Sequence, residues 1–211
     1  MKDRIKELVN AVPKTDVFGD VGCDHGFVAA EMLKENKCNF AVASDVSEKC
    51  LLKAKKLLKN YEKAGRATCV LSDGFNNLPH LDTALIAGLG GEEMISILKK
   101  AKELPENLVL QPMKNADKVR VFAVGAGYKI LKDYVFLSGG KFYNLISLKK
   151  GEDSLTEEEI EFGRTNINEP SEDFKKMIGA EIKKLYAFAE NSPREKKKEF
   201  IDKAERLKKY V

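Results

Sequence analysis

The 211-residue sequence has little with which to hold a metal: two histidines and four cysteines. Cys23, Cys38, Cys50 and Cys69 stand 15, 12 and 19 residues apart, so no pair has the close C-x-x-C spacing of a zinc or redox site. Reduced thiols in or near the core are the simpler reading, and no metal is expected. No stretch approaches the roughly 18 uncharged residues that span a bilayer. The opening Met1-Lys-Asp-Arg-Ile-Lys-Glu-Leu lacks the uninterrupted apolar stretch of a signal peptide. A cytoplasmic protein with no membrane partner is therefore expected. Internal repeats and low-complexity tracts are also missing.

What is present is enough apolar material for a real core, 43% of residues, alongside 33% charged residues. The length suggests one domain plus an appendage. The formal net charge is +4, but it is unevenly spread. Residues 1–150 carry 24 basic and 18 acidic side chains, 151–170 carry 1 and 7, and 171–211 carry 12 and 8. Two positive blocks flank an acidic joint, a distribution that suits an anionic partner.

The first helix is expected from about Lys2 to Val12, with Ile5, Leu8, Val9 and Val12 on one face and Pro13 ending it. Short apolar runs then recur at Val17–Val21, Phe40–Ala43, Ala67–Leu71, Thr83–Ala87 and Leu108–Leu110. Helical stretches separate them, among them Ser47–Ala64 with Leu51, Leu52, Ala54, Leu57, Leu58 and Tyr61 on a stripe. Such β-α alternation predicts a parallel sheet covered on both faces. Tyr128–Leu137 and Lys141–Lys149, joined through Ser138-Gly-Gly, predict a closing antiparallel hairpin. The expected fold is therefore α/β, a mostly parallel seven-stranded sheet, a layout that resembles the Rossmann-like class I methyltransferases. Residues 1–150 form that domain in this reading.

From Gly151 the pattern turns helical, giving an expected extension over 151–211. Thr156 and Glu159 match a capping box. Phe174, Ile178, Ile182, Leu185 and Ala189 follow 4,4,3,4 spacing. Ser192-Pro-Arg-Glu195 opens a last helix with Phe200, Ala204, Leu207 and Val211 on one side. The two stripes predict an antiparallel helical hairpin.

The chemistry concentrates at the ends of the predicted strands. After the first comes Gly19-Asp-Val-Gly-Cys-Asp-His-Gly26, read as Asp-x-Gly-x-x-x-Gly rather than a dinucleotide or P-loop fingerprint. Gly22 and Gly26 let the backbone approach a ligand, and Asp20 can receive the ammonium of an amino-acid group. After the second strand, Asp45 stands where a carboxylate grips a ribose diol, with Val46 beside it; a helix cap near Ser47 is the simpler alternative. After the third, Asp73 could accept from an adenine amine, with Gly74 in the turn and Phe75 near the ring; a plain Asp-Gly turn is the alternative. After the fourth, Ala87-Gly-Leu-Gly-Gly91 offers close backbone approach at Gly88, Gly90 and Gly91, next to a helix start. Acidic residues at three successive strand ends carry more weight together than singly, because an open α/β sheet binds ligands at that edge.

Together these segments resemble the bacterial TrmK family of tRNA adenine-N1 methyltransferases. The matching stretches are Asp20-Val-Gly-Cys-Asp-His-Gly-Phe-Val28, Ser72-Asp-Gly74, Ile86-Ala-Gly-Leu-Gly-Gly91 and Leu110-Gln-Pro-Met113. The family pattern has serine, alanine, tyrosine and asparagine where this chain has Cys23, Gly26, Phe27 and Met113. The resemblance implies methyl transfer from S-adenosyl-L-methionine to N1 of the adenosine at tRNA position 22, with tRNA as partner. It implies a cofactor site drawn from Asp20, Gly22, Cys23, His25, Gly26, Asp45, Val46, Asp73, Gly74, Phe75 and Gly88. Gly90, Gly91, Gln111 and Pro112 fall on the substrate side, and Asp24 and His25 are the catalytic candidates. Two other readings stay open: the same fold acting on another RNA or a small molecule, and a non-catalytic RNA-binding protein with a vestigial cofactor pocket.

Overall fold

The computed structural model describes residues 3–211, the side chains of Arg194 and Glu195 excepted. Its first half alternates helix and strand: α1 (Arg4–Ala11), β1 (Thr15–Val21), α2 (Phe27–Lys34), β2 (Cys38–Asp45), α3 (Glu48–Lys63), β3 (Ala67–Leu71), β4 (Thr83–Ala87), α4 (Gly91–Lys100), β5 (Asn107–Gln111) and α5 (Ala116–Gly125). The hairpin β6 (Tyr128–Ser138) and β7 (Lys141–Lys150) follows, then α6 (Glu157–Phe162), α7 (Arg164–Asn168), α8 (Glu172–Glu190), α9 (Arg194–Leu207) and a 3₁₀ turn at Lys208–Tyr210. The expected first helix reaches back to Lys2, which lies outside the described residues; among those, Asp3 caps the helix by accepting from the Ile5 N–H.

The strands form one sheet in the order β3-β2-β1-β4-β5-β7-β6. The first five are parallel, and β7 pairs antiparallel with both β5 and β6. Gly139 and Gly140 both take positive φ, 55° and 76°, the left-handed pair that a two-residue hairpin turn needs. The sheet is filled from both faces. Phe18, Ala41, Leu85 and Val109 meet Leu8, Met32 and Leu58 of α1–α3, while Val21, Ala84 and Ile86 meet Met94, Leu98 and Val119 of α4 and α5.

Two stripe assignments are corrected. In α3, Leu51, Ala54 and Leu58 are buried but Leu52 and Leu57 are exposed, because the apolar run is wider than the face the sheet can cover. In the last helix Ala204 and Leu207 pack inward, but Val211 is exposed: the 3₁₀ turn rotates the chain and Tyr210 takes the inward place.

Residues 151–211 lie against the free edge of β6. The β6 N–H groups that face outward are received by side chains: Ile130 donates to Asp153 (2.9 Å), Asp133 to Thr165 Oγ1 (3.0 Å), Val135 to Asn166 Oδ1 (3.0 Å) and Leu137 to Asp173 (3.1 Å). This is edge protection by helix rather than by a further strand. Beneath it, Arg120 and Asp133, 1% and 0% exposed, pair at 2.8 Å. Arg120 also donates to the Ile160 carbonyl (3.0 Å), and Asp133 accepts from the Thr165 N–H (3.0 Å). Phe174, Ile178 and Leu185 of α8 share a third apolar cluster with Ala204, Leu207 and Val135. Among the described residues, no helix is long and apolar enough to cross a membrane.

Candidate functional site

The carboxyl ends of the parallel strands open into a cavity of about 570 Å³, within the usual range for small-molecule sites. Its lining includes Asp20, Gly22, Cys23, Asp24, His25, Asp45, Val46, Asp73, Gly74 and Gly88, most of the cofactor and catalytic candidates. Strand order explains the convergence: β1 is central, β2 and β3 lie on one side and β4 on the other, so their exits face a common hollow.

The β1 exit is tightly drawn. Gly22 (φ 74°) and Cys23 both donate backbone N–H bonds to the Ser44 carbonyl, at 2.8 and 2.9 Å. Asp24 follows in the left-handed region (φ 49°), which a short polar side chain tolerates better than most. Its N–H donates to Asp45 at 2.9 Å, and the other Asp45 oxygen accepts from the Ser47 N–H at 2.8 Å. Asp45 thus does organise the start of α3, where Ser47 is the N-cap. An ionised carboxylate has about four acceptor positions, so two N–H bonds leave room for a diol. Ligand binding and capping are compatible there.

Asp20 is 5% exposed and accepts from the Ala29 N–H at 3.2 Å. Burial pushes its carboxyl up to about 7, against the opposing pull of the Ala29 N–H, and the Asp45 charge adds to the rise. A neighbouring cation would reverse that cost. The Cys23 thiol is pushed up by burial and by the charges of Asp20 and Asp45, which keeps it protonated. Asp73 pairs with Lys100 at 3.4 Å across the mouth. Val46, 72% exposed, and Phe27, 53% exposed, present bare apolar surface to the hollow. The His25 ring stacks on Phe27, centroids 5.3 Å apart and planes 6° from parallel. His25 Nε2 stands 3.5 Å from Asp24 and 3.2 Å from Lys53 Nζ. One nitrogen cannot donate to the carboxylate and accept from the ammonium in the same tautomer; the ring therefore has two settings available.

Several candidates fall elsewhere. Phe75 lines a different hollow, with Asn76–Leu81 and Lys102–Pro105, and packs among apolar residues near β4, so it does not face Asp73. Gly26 caps α2 at φ 72° outside the cavity lining; a β-carbon there would stand 3.1 Å from Ala54, so it serves the packing of α2 on α3. Gly90 and Gly91 also lie outside the lining. A β-carbon at Gly91 would come within 2.6 Å of the Asn115 carbonyl, so this glycine seats α4 on the loop before α5. Gln111 is fully buried and its Oε1 accepts from Arg4 Nε (2.9 Å) and Nη2 (2.6 Å), so its carbonyl is already engaged. Pro112, in the same turn, does not reach the cavity.

Arg4 is the residue that sequence reasoning passed over. It lines the cavity from α1, with its guanidinium 5.3 Å from the centre of the Tyr143 ring and its Nη2 3.1 Å from where a Gly88 β-carbon would lie. The aromatic side chains of the hairpin serve the core: Tyr128 and Phe136 are buried, and Tyr134 is half-buried with its hydroxyl donating to Glu7. Of the C-terminal lysines, Lys208 and Lys209 pair with Glu205 and Glu158, while Lys196, Lys197 and Lys198 are exposed.

A central parallel sheet ending in an antiparallel hairpin, with carboxylates at three successive strand exits, defines a Rossmann-like methyltransferase. The chain belongs to the TrmK family, tRNA (adenine(22)-N(1))-methyltransferase, whose model matches residues 18–210. It is 34% identical over 177 residues to a Mycoplasma pneumoniae protein provisionally named a tRNA methyltransferase, covering 80% of this chain and 82% of the other. Its fold matches that of M. capricolum TrmK in complex with S-adenosyl-homocysteine, with a TM-score of 0.86, 23% identity, and coverage of 100% and 97% of the two chains. It also matches the B. subtilis m1A22 tRNA methyltransferase TrmK, with a TM-score of 0.82, 21% identity, and coverage of 100% and 98%.

Proposed function

We propose that this chain methylates N1 of adenosine 22 in tRNA, with S-adenosyl-L-methionine held across the strand exits. The observation that carries this reading is the convergence of Asp20, Asp45 and Asp73 on one hollow of about 570 Å³ floored by Gly22, Gly74 and Gly88. The cofactor, when bound, supplies an electrophilic methyl group on a sulfonium.

The residues present fit that group. Asp20 is a buried carboxyl with a raised pKa and, among the described residues, no cationic side chain as hydrogen-bond partner, so an incoming ammonium would relieve its burial. Asp45 keeps acceptor capacity for two hydroxyls, and Val46 offers apolar surface beside it. Asp73 stands at the next exit, where an adenine amine can donate to it, and Ile97 of α4 lines the adjoining wall.

Adenine N1 already carries an in-plane lone pair, so its attack requires no base. The methylated ring becomes cationic, and a carboxylate beside its exocyclic amine strengthens that hydrogen bond as charge develops. Asp24 suits this role: its backbone is fixed by Asp45 while its side chain is exposed at the rim beside His25. His25 on Phe27 forms the adjoining wall. Because N1 lies on the pairing edge, the base must be unpaired or swung out to enter. In this reading residues 1–150 form the catalytic unit, while 151–211 close the sheet edge and present Lys196–Lys198 toward RNA.

Mapping methylated nucleosides in tRNA incubated with the protein and labelled methyl donor tests the proposal. N1-methyladenosine at position 22 is the expected product. Label on a different base, or none, would overturn it.

A further inference from the structure

Helix α3 carries more charge than the fold asks of it. It holds six lysines against two glutamates, a surplus equal to the +4 of the whole chain. Lys49, Lys53 and Lys56 stand at i, i+4 and i+7, on one exposed face away from the buried Leu51, Ala54 and Leu58. Like charges at that spacing repel along the helix. Several other lysines are answered by acids: Lys34 by Glu31, Lys118 by Glu92, Lys175 by Glu172 and Lys184 by Glu181. Among the described residues, none of Lys49, Lys53 and Lys56 has a carboxylate within ion-pair distance. Lys53 Nζ stands instead 3.2 Å from His25 Nε2.

That contact brings the lysine face to the cavity. Cys50 lines the hollow, and Lys53 follows one turn along α3, beside His25 and Asp24 at the rim. Phe27, stacked on His25, and Val46, just before α3, are exposed there. Across the mouth, Lys100 is already paired with Asp73.

We propose that the Lys49–Lys53–Lys56 face of α3 is a docking surface for an RNA backbone, with Lys53 receiving a phosphate beside the target nucleotide. This rests on the methylation reading above and deepens it by naming where the substrate lies. A base that enters by its N1 edge leaves its sugar and phosphate outside the hollow, and Lys53 stands at that border. A polyanion neutralises the charge that α3 leaves unanswered, so repulsion within the helix becomes attraction for RNA. The His25 nitrogen keeps the ammonium at the rim until a phosphate, the stronger acceptor, takes it. Unpaired bases stack on aromatic faces, which His25 and Phe27 supply at the same border. Helix α3 packs on β2 and β3, at the sheet edge opposite the extension, so this surface is separate from Lys196–Lys198.

Anisotropy of labelled tRNA across a salt series tests the surface. The triple variant Lys49→Gln, Lys53→Gln, Lys56→Gln should bind tRNA about tenfold more weakly, and the slope of log K against log salt should fall by about 2. Its affinity for S-adenosyl-homocysteine should hold. Unchanged tRNA affinity and slope would overturn the proposal. The control triple Lys14→Gln, Lys34→Gln, Lys102→Gln removes the same charge at the amino ends of the strands, and it should bind tRNA nearly as the parent does. Equal losses in the two triples would reduce the effect to net charge and overturn the proposal too. Lysine acetylation of the parent, read by mass spectrometry, needs no variant: tRNA should shield Lys49, Lys53 and Lys56. Shielding confined to Lys196–Lys198, or shielding of α3 by phosphatidylserine vesicles but not by tRNA, would contradict it. Following methylation in the same samples keeps the two readings apart. A parent that is shielded on α3 by tRNA yet leaves position 22 unmethylated removes the reaction and keeps the surface.

Discussion

The β6 edge and the strand-exit rim both gather acidic and polar side chains, but they use them in opposite ways. At the edge, Asp153, Thr165, Asn166 and Asp173 each receive a β6 N–H, and Asp133 is matched by Arg120 beneath. At the rim, Asp20 accepts from one backbone donor, Asp24 presents its carboxylate to solvent, and Arg4 has no ion-pair partner among the described residues. One region spends its polar groups on folding; the other leaves them unspent. Unspent polar groups beside a cavity are what a binding site requires, and they lower the stability of the ligand-free protein.

Substitution should separate the two regions sharply. The largest effect belongs to the edge: Asp133→Ala strands a fully buried guanidinium and should cost about 3–5 kcal/mol in urea unfolding. A loss below about 1 kcal/mol would mean that the extension is only loosely held. At the rim, Asp45→Ala should weaken S-adenosyl-homocysteine binding about ten- to a hundredfold by calorimetry, since hydrogen bonds to a charged acceptor are lost. Unchanged affinity would confine Asp45 to its capping role at Asp24 and Ser47.

Asp24→Asn keeps a residue that tolerates the left-handed backbone while removing the charge. Single-turnover methylation should slow about tenfold with cofactor affinity preserved. A parent-like rate would remove Asp24 from the chemistry. A pH dependence of similar size is expected at Asp20. Asp20 has its carboxyl raised to about 7, so its ionised form, the one that accepts an ammonium, fills in as pH rises. Affinity for S-adenosyl-homocysteine should climb about tenfold from pH 6 to 8, and Asp20→Asn should flatten the curve. Stability runs the other way. The folded protein holds this proton more tightly than the unfolded chain does. Its contribution is therefore fully present below the ordinary carboxylate range and is lost as pH rises through about 7.

The fold was legible because its signals are local. Five apolar runs spaced by helical stripes and a Gly-Gly hairpin determine a seven-stranded sheet almost unaided. Asp20, Asp45 and Asp73 stand out for the same reason, since each lies at or just past the end of a strand, and the three line one cavity. The rest depends on distance along the chain. Arg4 sits in the first turn of a helix, where a charge looks solvated, and it becomes notable only when Gln111, 107 residues away, receives it. That bond also removes the Gln111 carbonyl from the substrate side. Gly91 has the look of a ligand-approach glycine, yet what it admits is the Asn115 carbonyl. Phe75 follows Asp73 closely, but the turn sends it to another hollow. Thr165 and Asn166 carry no pattern until the β6 edge lies beside them.

The most direct test is a crystal structure of the protein with S-adenosyl-homocysteine. The ribose should lie on Asp45, the adenine near Asp73, and the amino-acid end on Asp20. Density for the ligand outside the strand-exit cavity, or a cavity filled by the protein's own side chains, would contradict the account.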